Sequence, residues 1–256
     1  MSDVARWAGE LFWPFLRVLG LLSVAPGFNS PLIPARVKVA LALLTAIVLA
    51  GGLKQSAPLD VSWDTLLLSV EQVLVGLAIG LAMQLVMTAM ALAGEFVGVQ
   101  MGFGIASLFD PQSGFEVPVM SNFFSLTGSV LFLAMNGHLI LLGVLMKSFD
   151  AVPIATGMGI SGSGWHALAA SGAMLFQLGV WLALPVVAVL LAVHLAVALV
   201  SRVAPQFNII SVGFAVFLWV GIAATVAVVP LFVPAVQHMI EGGLALAGAL
   251  LQRPPI

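Results

Sequence analysis

The chain is a succession of long apolar runs separated by short polar breaks that carry proline or glycine, and almost nowhere does it alternate with period two. Apolar runs of this length predict helices rather than strands. The first, Leu11 to Ala25, is interrupted by Pro14 and Arg17. Pro26, Pro31 and Pro34 then predict an extended or re-entrant elbow, ending in the densest basic cluster, Arg36 and Lys38. Val39 to Leu53 predicts a helix that is short for a bilayer, which asks for about 20 residues. A polar loop covers Lys54 to Asp64. From Thr65 to Ala106 the pattern permits one helix, too long for a single span, so a bend or break is expected around Gly94 to Gly104. Val119 to Met146 is apolar, with Asn136-Gly137-His138 inside it. Lys147 to Gly172 is rich in glycine and serine and marks the boundary between two halves, 1–150 and 151–256. Met174 to Val200 predicts a long helix with a kink at Pro185, followed by a turn over Arg202 to Asn208. Ile209 to Val229 predicts another helix, ended by Pro230 and Pro234 and followed by a weakly amphipathic tail, Ala235 to Leu251. The expected fold is all-α and polytopic, with five to seven apolar helices arranged as helical hairpins.

The most informative stretch is Gly94 to Met120. Gly94, Gly98 and Gly102 stand four apart on one helix face, as do Gly76 and Gly80 further upstream, and such faces let another backbone approach closely. Beyond Gly104 the chain breaks into a loop, 109–118, pinned by Pro111 and Pro118, with Gly114 free to take positive φ. Asp110 and Glu116 carry the only charges between Gln100 and Leu145. Irregular backbone inside membrane-like sequence is tolerated only where protein or water surrounds it. The loop Phe109, Asp110, Pro111, Gln112, Ser113, Gly114, Phe115 is therefore a candidate for lining or closing something, against the plainer reading of an inter-helix turn.

Composition settles the class. Of 256 residues 62% are hydrophobic and 7% charged, where a soluble domain carries about 25% charged. The chain reads as an integral membrane protein or a subunit buried in one. A net charge of −2 gives no footing for nucleic acid, and the lack of cysteine excludes disulfides, thiolate ligands and a Cys nucleophile. A cleaved signal peptide is not expected: Asp3 and Glu10 spoil the basic start, and Pro26 would follow the cut after Ser23-Val24-Ala25. The basic residues are too scattered to set an orientation by charge.

Candidate chemistry is sparse. Gly157 to Gly162 matches GxGxxG, but no strand precedes it and no acid follows about 20 residues on, so it reads as a flexible linker. His138, His166, His194 and His238 lack metal-ligand spacing, and no GxSxG elbow or paired acids are present. No catalytic, metal or cofactor site is expected. Glu71 and Glu95 are the notable ionisable residues, expected to be buried. An acid among apolar helices marks function or a specific partner, here a base of another subunit or exposed backbone rather than a proton relay. Met83, Met87 and Met90 share one face and read either as a deformable lining or as plain helix packing.

Taken together, QMGFGIASLFDPQSGFEVPV, LAMNGHLILL, SFDAVPI, APQFNIISVGF and the entry segment FWPFLRVLGLLSVAPGFNSPLIPARVKVALA resemble the FliR family over nearly the whole chain. FliR is an export-gate subunit of the bacterial flagellar type III secretion apparatus. The resemblance implies a FliP-like part, 1–150, followed by a FliQ-like part, 151–256. It implies an inner-membrane, multi-pass subunit of the flagellar basal body that joins FliP and FliQ, with FlhB at the cytoplasmic mouth. Unfolded flagellar proteins would pass through the middle. It also implies a plugging role for the loop Phe109 to Phe115. The alternatives are a virulence secretion homologue of the same family and a small-solute or ion transporter. A transporter would show internal repeats and midplane charges, whereas the C-terminal half carries almost none.

Overall fold

The computed structural model describes residues 2–29, 33–52, 62–104, 118–154, 162–204 and 209–251. Among them the chain forms seven helices and no strand: α1 (Ser2–Val24), α2 (Ala35–Ala50), α3 (Trp63–Gln100), α4 (Val119–Ala134), α5 (Gly137–Ala151), α6 (Gly162–Val203) and α7 (Ile209–Leu251). Three of them are long and apolar enough to cross a membrane, over Trp63–Gln100, Gly164–Val203 and Gly213–Gly248. A fourth span results if α4 and α5, bent by 66° at their junction, count as one.

Several boundaries depart from the sequence pattern. Pro14 does not interrupt α1, which runs unbroken from Ser2. Pro230 and Pro234 do not end α7, which continues to Leu251. A proline removes one N–H and strands one carbonyl four residues back. Pro234 would have bonded to the carbonyl of Pro230, so both defects of α7 fall on one helix face. With no water to compete, the remaining backbone bonds keep the helix intact. Helix α6 begins at Gly162 rather than after Gly172, so the expected linker is shorter by a full helical stretch. Helix α2 begins directly after Pro34, which places Arg36 and Lys38 in its first turn.

The break expected near Gly94 to Gly104 falls at its far end. Helix α3 stops at Gln100, and Gly102 turns the chain with φ +85°. A second break, between α4 and α5, is made by Asn136 at φ +57°, a conformation that asparagine tolerates better than most residues.

The chain divides into two compact units, each drawing on both sides of residue 150. The stretches 1–150 and 151–256 therefore do not coincide with them. Unit 1 holds Met1–Leu85, Phe132–Gly172 and Ile240–Ile256. In it α1 and α3 run parallel: Gly20 lies on Val73 and Leu77, Gly76 on Arg17 and Leu21, and Gly80 on Leu21 and Ala25. Trp13, Val18, Leu21, Val75, Ile79 and Leu145 are buried around this seam. Unit 2 holds Val86–Leu131 and Ala173–Met239. There the end of α3 runs antiparallel to α4, since Met90 meets Gly128 while Gly94 meets Met120 and Ser121. Phe124 of α4 packs on Phe232 of α7 at 4.9 Å between ring centroids.

Candidate functional site

The candidate loop residues Phe109, Asp110, Pro111, Gln112, Ser113, Gly114 and Phe115 lie outside the described residues, as do the polar loop at 53–61, the stretch 155–161 and the turn 205–208. The two ends that carry the candidate loop are described. On the leaving side, Met101 N–H donates to Val97 O at 2.9 Å and Gly102 N–H to Val99 O at 3.1 Å. On the returning side, Pro118 O accepts from Asn122 N–H at 2.8 Å and opens α4.

The two stems are clamped to each other. A side chain on Gly94 would collide with the carbonyl of Met120, and its Cβ would stand 2.6 Å from the Cα of Ser121. The Ser121 hydroxyl donates to Ala91 O at 2.9 Å across the same crossing. Two backbones this close hold the end of α3 against the start of α4.

The predicted glycine faces are not uniform. Gly76 sits against the carbonyl of Arg17, and an added Cβ there would also lie 2.9 Å from Leu21 N. At Gly80 the Cβ would lie 2.8 Å from Leu21 O. Gly98 is different: the nearest atom to its Cβ would be Met120 Cβ at 3.6 Å, an ordinary contact. Gly102 is not on the helix at all but in the turn that ends it. The close approaches on α3 are therefore at Gly76, Gly80 and Gly94.

Glu71 and Glu95 are 24 residues apart on α3 and do not meet. Glu95 is exposed on the chain, so the expected burial would have to come from another subunit. One residue beyond Gly94 is about 100° round the helix, which turns Glu95 away from the α4 seam. Glu71 is half-buried, and its Oε1 has no hydrogen-bond partner. Met83, Met87 and Met90 are all buried in the chain. His194 stacks on Phe217 at 3.8 Å, while its Nδ1 lies 2.7 Å from Leu190 O. Among the described residues no three metal-ligating side chains come together.

The polar centre that the sequence pattern did not single out is Arg17, fully buried in unit 1. Its Nε donates to Gln72 Oε1 at 2.9 Å, one terminal nitrogen to Ser148 Oγ at 3.0 Å, and the other to Val152 O at 2.9 Å. The latter nitrogen also donates to Gln72 Oε1. The guanidinium lies over the Phe149 ring, 4.1 Å from its centroid. Ser148 in turn donates to Leu145 O at 2.6 Å. One planar fork thus ties α1 to α3 and to the end of α5, which a point-like ammonium could not do. The signal for it was present: an arginine inside an apolar helix needs a specific partner.

The sequence profile of bacterial export proteins, family 1, matches residues 8–243. The flagellar biosynthetic protein FliR of Escherichia coli (strain K12) is 36% identical over 250 residues, 98% of this chain and 95% of the relative. The protein of the same name from Pectobacterium carotovorum subsp. carotovorum is 38% identical over 237 residues, covering 93% and 90%. That of Bacillus subtilis (strain 168) is 30% identical over 201 residues, 78% of each chain.

Proposed function

Since the chain belongs to the bacterial export proteins, family 1, and is a FliR-type subunit of the flagellar export apparatus, we propose that it helps to form and close the channel through which unfolded flagellar proteins leave. In this reading it acts in the inner membrane, within the basal body, as one member of a hetero-oligomer with FliP and FliQ, and FlhB adjoins the cytoplasmic side. Residues 1–150 serve as its FliP-like part and 151–256 as its FliQ-like part. It catalyses no reaction.

One observation in the fold supports assembly with other subunits. Exposed large apolar side chains lie on α6 at Trp165 and then from Phe176 to Val203, the latter run about 40 Å of helix at 1.5 Å per residue. A hydrocarbon core of about 30 Å covers about 39 Å of helix only at a tilt of about 40°. At a smaller tilt part of this apolar run needs protein against it.

The gate is assigned to Phe109, Asp110, Pro111, Gln112, Ser113, Gly114 and Phe115. Phe115 is the only large apolar side chain between Asp110 and Glu116, and an apolar constriction stops ions by excluding water. The close contact of Gly94 and Ala91 with Met120 and Ser121 joins the helices on either side of the loop in sequence. Ion conductance of assembled complexes tests the assignment. Phe115→Ala, or removal of Pro111 to Gly114, should leave assembly intact and raise the leak. Equal leak in wild type and variants would rule out the plug.

A further inference from the structure

Glu71 lies on the border between the two faces of α3. One side of the helix buries Val75, Ile79 and Ala82 in unit 1. The other exposes Trp63, Leu67, Val70, Leu74 and Leu81, a stripe at helical spacing. Leu67 and Leu74 flank Glu71 at four residues before and three after.

One carboxyl oxygen of Glu71, the buried Oε1, finds no donor among the described residues. Arg17 is near enough to act on Glu71 electrostatically, but no nitrogen of it stands within 4.0 Å, and its donors go to Gln72, Ser148 and Val152. The spare amide nitrogen of Gln72, also unpaired, does not reach Glu71 either. The unmet demand at Oε1 is for a hydrogen-bond donor.

Trp63 to Leu81 spans about 27 Å at 1.5 Å per residue, which by length alone would suit lipid. Glu71 stands about 12 Å into the stripe by the same rise, where acyl chains offer no donor and an acid is expensive. A protein helix meets both demands of this surface, apolar cover and one donor.

We propose that the stripe Trp63, Leu67, Val70, Leu74 and Leu81 seats a membrane-spanning helix of another export subunit, and that this helix brings one hydrogen-bond-donating side chain to Glu71. The identity of the partner as an export subunit rests on the export-gate reading; the need for a donor-bearing helix does not.

Photo-crosslinking amino acids placed at Leu67 and Leu74 of the full chain, expressed with the whole export apparatus, test it. Crosslinks should map to an apolar helix containing a Ser, Thr, Asn, Gln, Lys or Arg opposite Glu71. Glu71→Leu should lower recovery of that partner roughly three- to tenfold, the range of one interhelical hydrogen bond in a membrane, while Glu71→Gln, which keeps an acceptor, should retain it. Export subunits recovered normally, with Leu67 and Leu74 crosslinking to lipid alone, would overturn this surface and leave the export-gate reading standing. Crosslinks to a donor-bearing helix outside the export apparatus would keep the surface and overturn that reading. Wild-type partner recovery by Glu71→Leu would overturn the role of Glu71.

Discussion

Gly76→Ala and Gly98→Ala place the same methyl group on the same helix and should act in opposite directions. At Gly76 the new Cβ would meet the carbonyl of Arg17 and stand 2.9 Å from Leu21 N and 3.0 Å from Arg17 C. These are backbone atoms, which no side-chain rotation can move aside. Relief requires α1 and α3 to separate by about 1.5 Å to reach ordinary contact. That would stretch the 2.9 Å bond from Arg17 Nε to Gln72 Oε1 beyond hydrogen-bonding range. Overpacking costs about 1–3 kcal/mol, and a hydrogen bond to a charged group is worth about 1.5–3 kcal/mol. Against this, alanine gains about 1 kcal/mol over glycine in a helix. The net loss is about 1.5–5 kcal/mol, or roughly 3–20 °C of apparent melting temperature for a chain of this size. Gly98→Ala meets Met120 Cβ at 3.6 Å and Phe103 Cδ2 at 3.8 Å. It keeps the helix-propensity gain and should be neutral or stabilise by up to about 1 kcal/mol. Thermal melts of the chain in the co-produced, detergent-extracted complex compare the two directly. If Gly76→Ala melted with wild type, or if both variants lost stability equally, the close α1–α3 approach would be wrong.

Arg17→Lys keeps the charge but loses the fork that bridges Gln72, Ser148 and Val152; it should cost about 2–4 kcal/mol, seen as a lower melting temperature, and wild-type stability would refute the tie between helices. Gly27 has φ +84° and open space around its Cβ position, so Gly27→Ala should cost only backbone strain, about 1–2 kcal/mol, and Gly27→Asn should cost less in the same melt.

The long helices were legible because apolar runs in a water-free setting leave the backbone little else to do. The same physics explains the misreadings: Pro14, Pro230 and Pro234 are breakers in water, yet α1 and α7 pass through all three. Spacing alone put Gly94, Gly98 and Gly102 on one face but could not tell which of them meets a backbone. That depends on where Met120 and Ser121 come to lie, and only Gly94 lies tight against them. The turn at Gly102 and the break at Asn136 follow from residues that accept positive φ, but many such residues do not turn, and packing decides which. Arg17 was visible as an oddity in an apolar run. Its partners Gln72, Ser148 and Val152 come from sequence separations of 55 to 135 residues that no local pattern encodes. Glu71 was legible as an acid wanting a partner, and the fold adds which face of α3 that partner would approach.

Native mass spectrometry of the detergent-extracted, affinity-tagged chain, produced together with FliP and FliQ, tests the central claim most directly. The proposed function predicts one hetero-oligomer containing all three kinds of subunit, and the apolar surface exposed along α6 and the unmet acceptor at Glu71 predict aggregation or degradation when the chain is produced alone. A well-behaved monomer in detergent, with the same melting temperature whether or not FliP and FliQ are present, would contradict it.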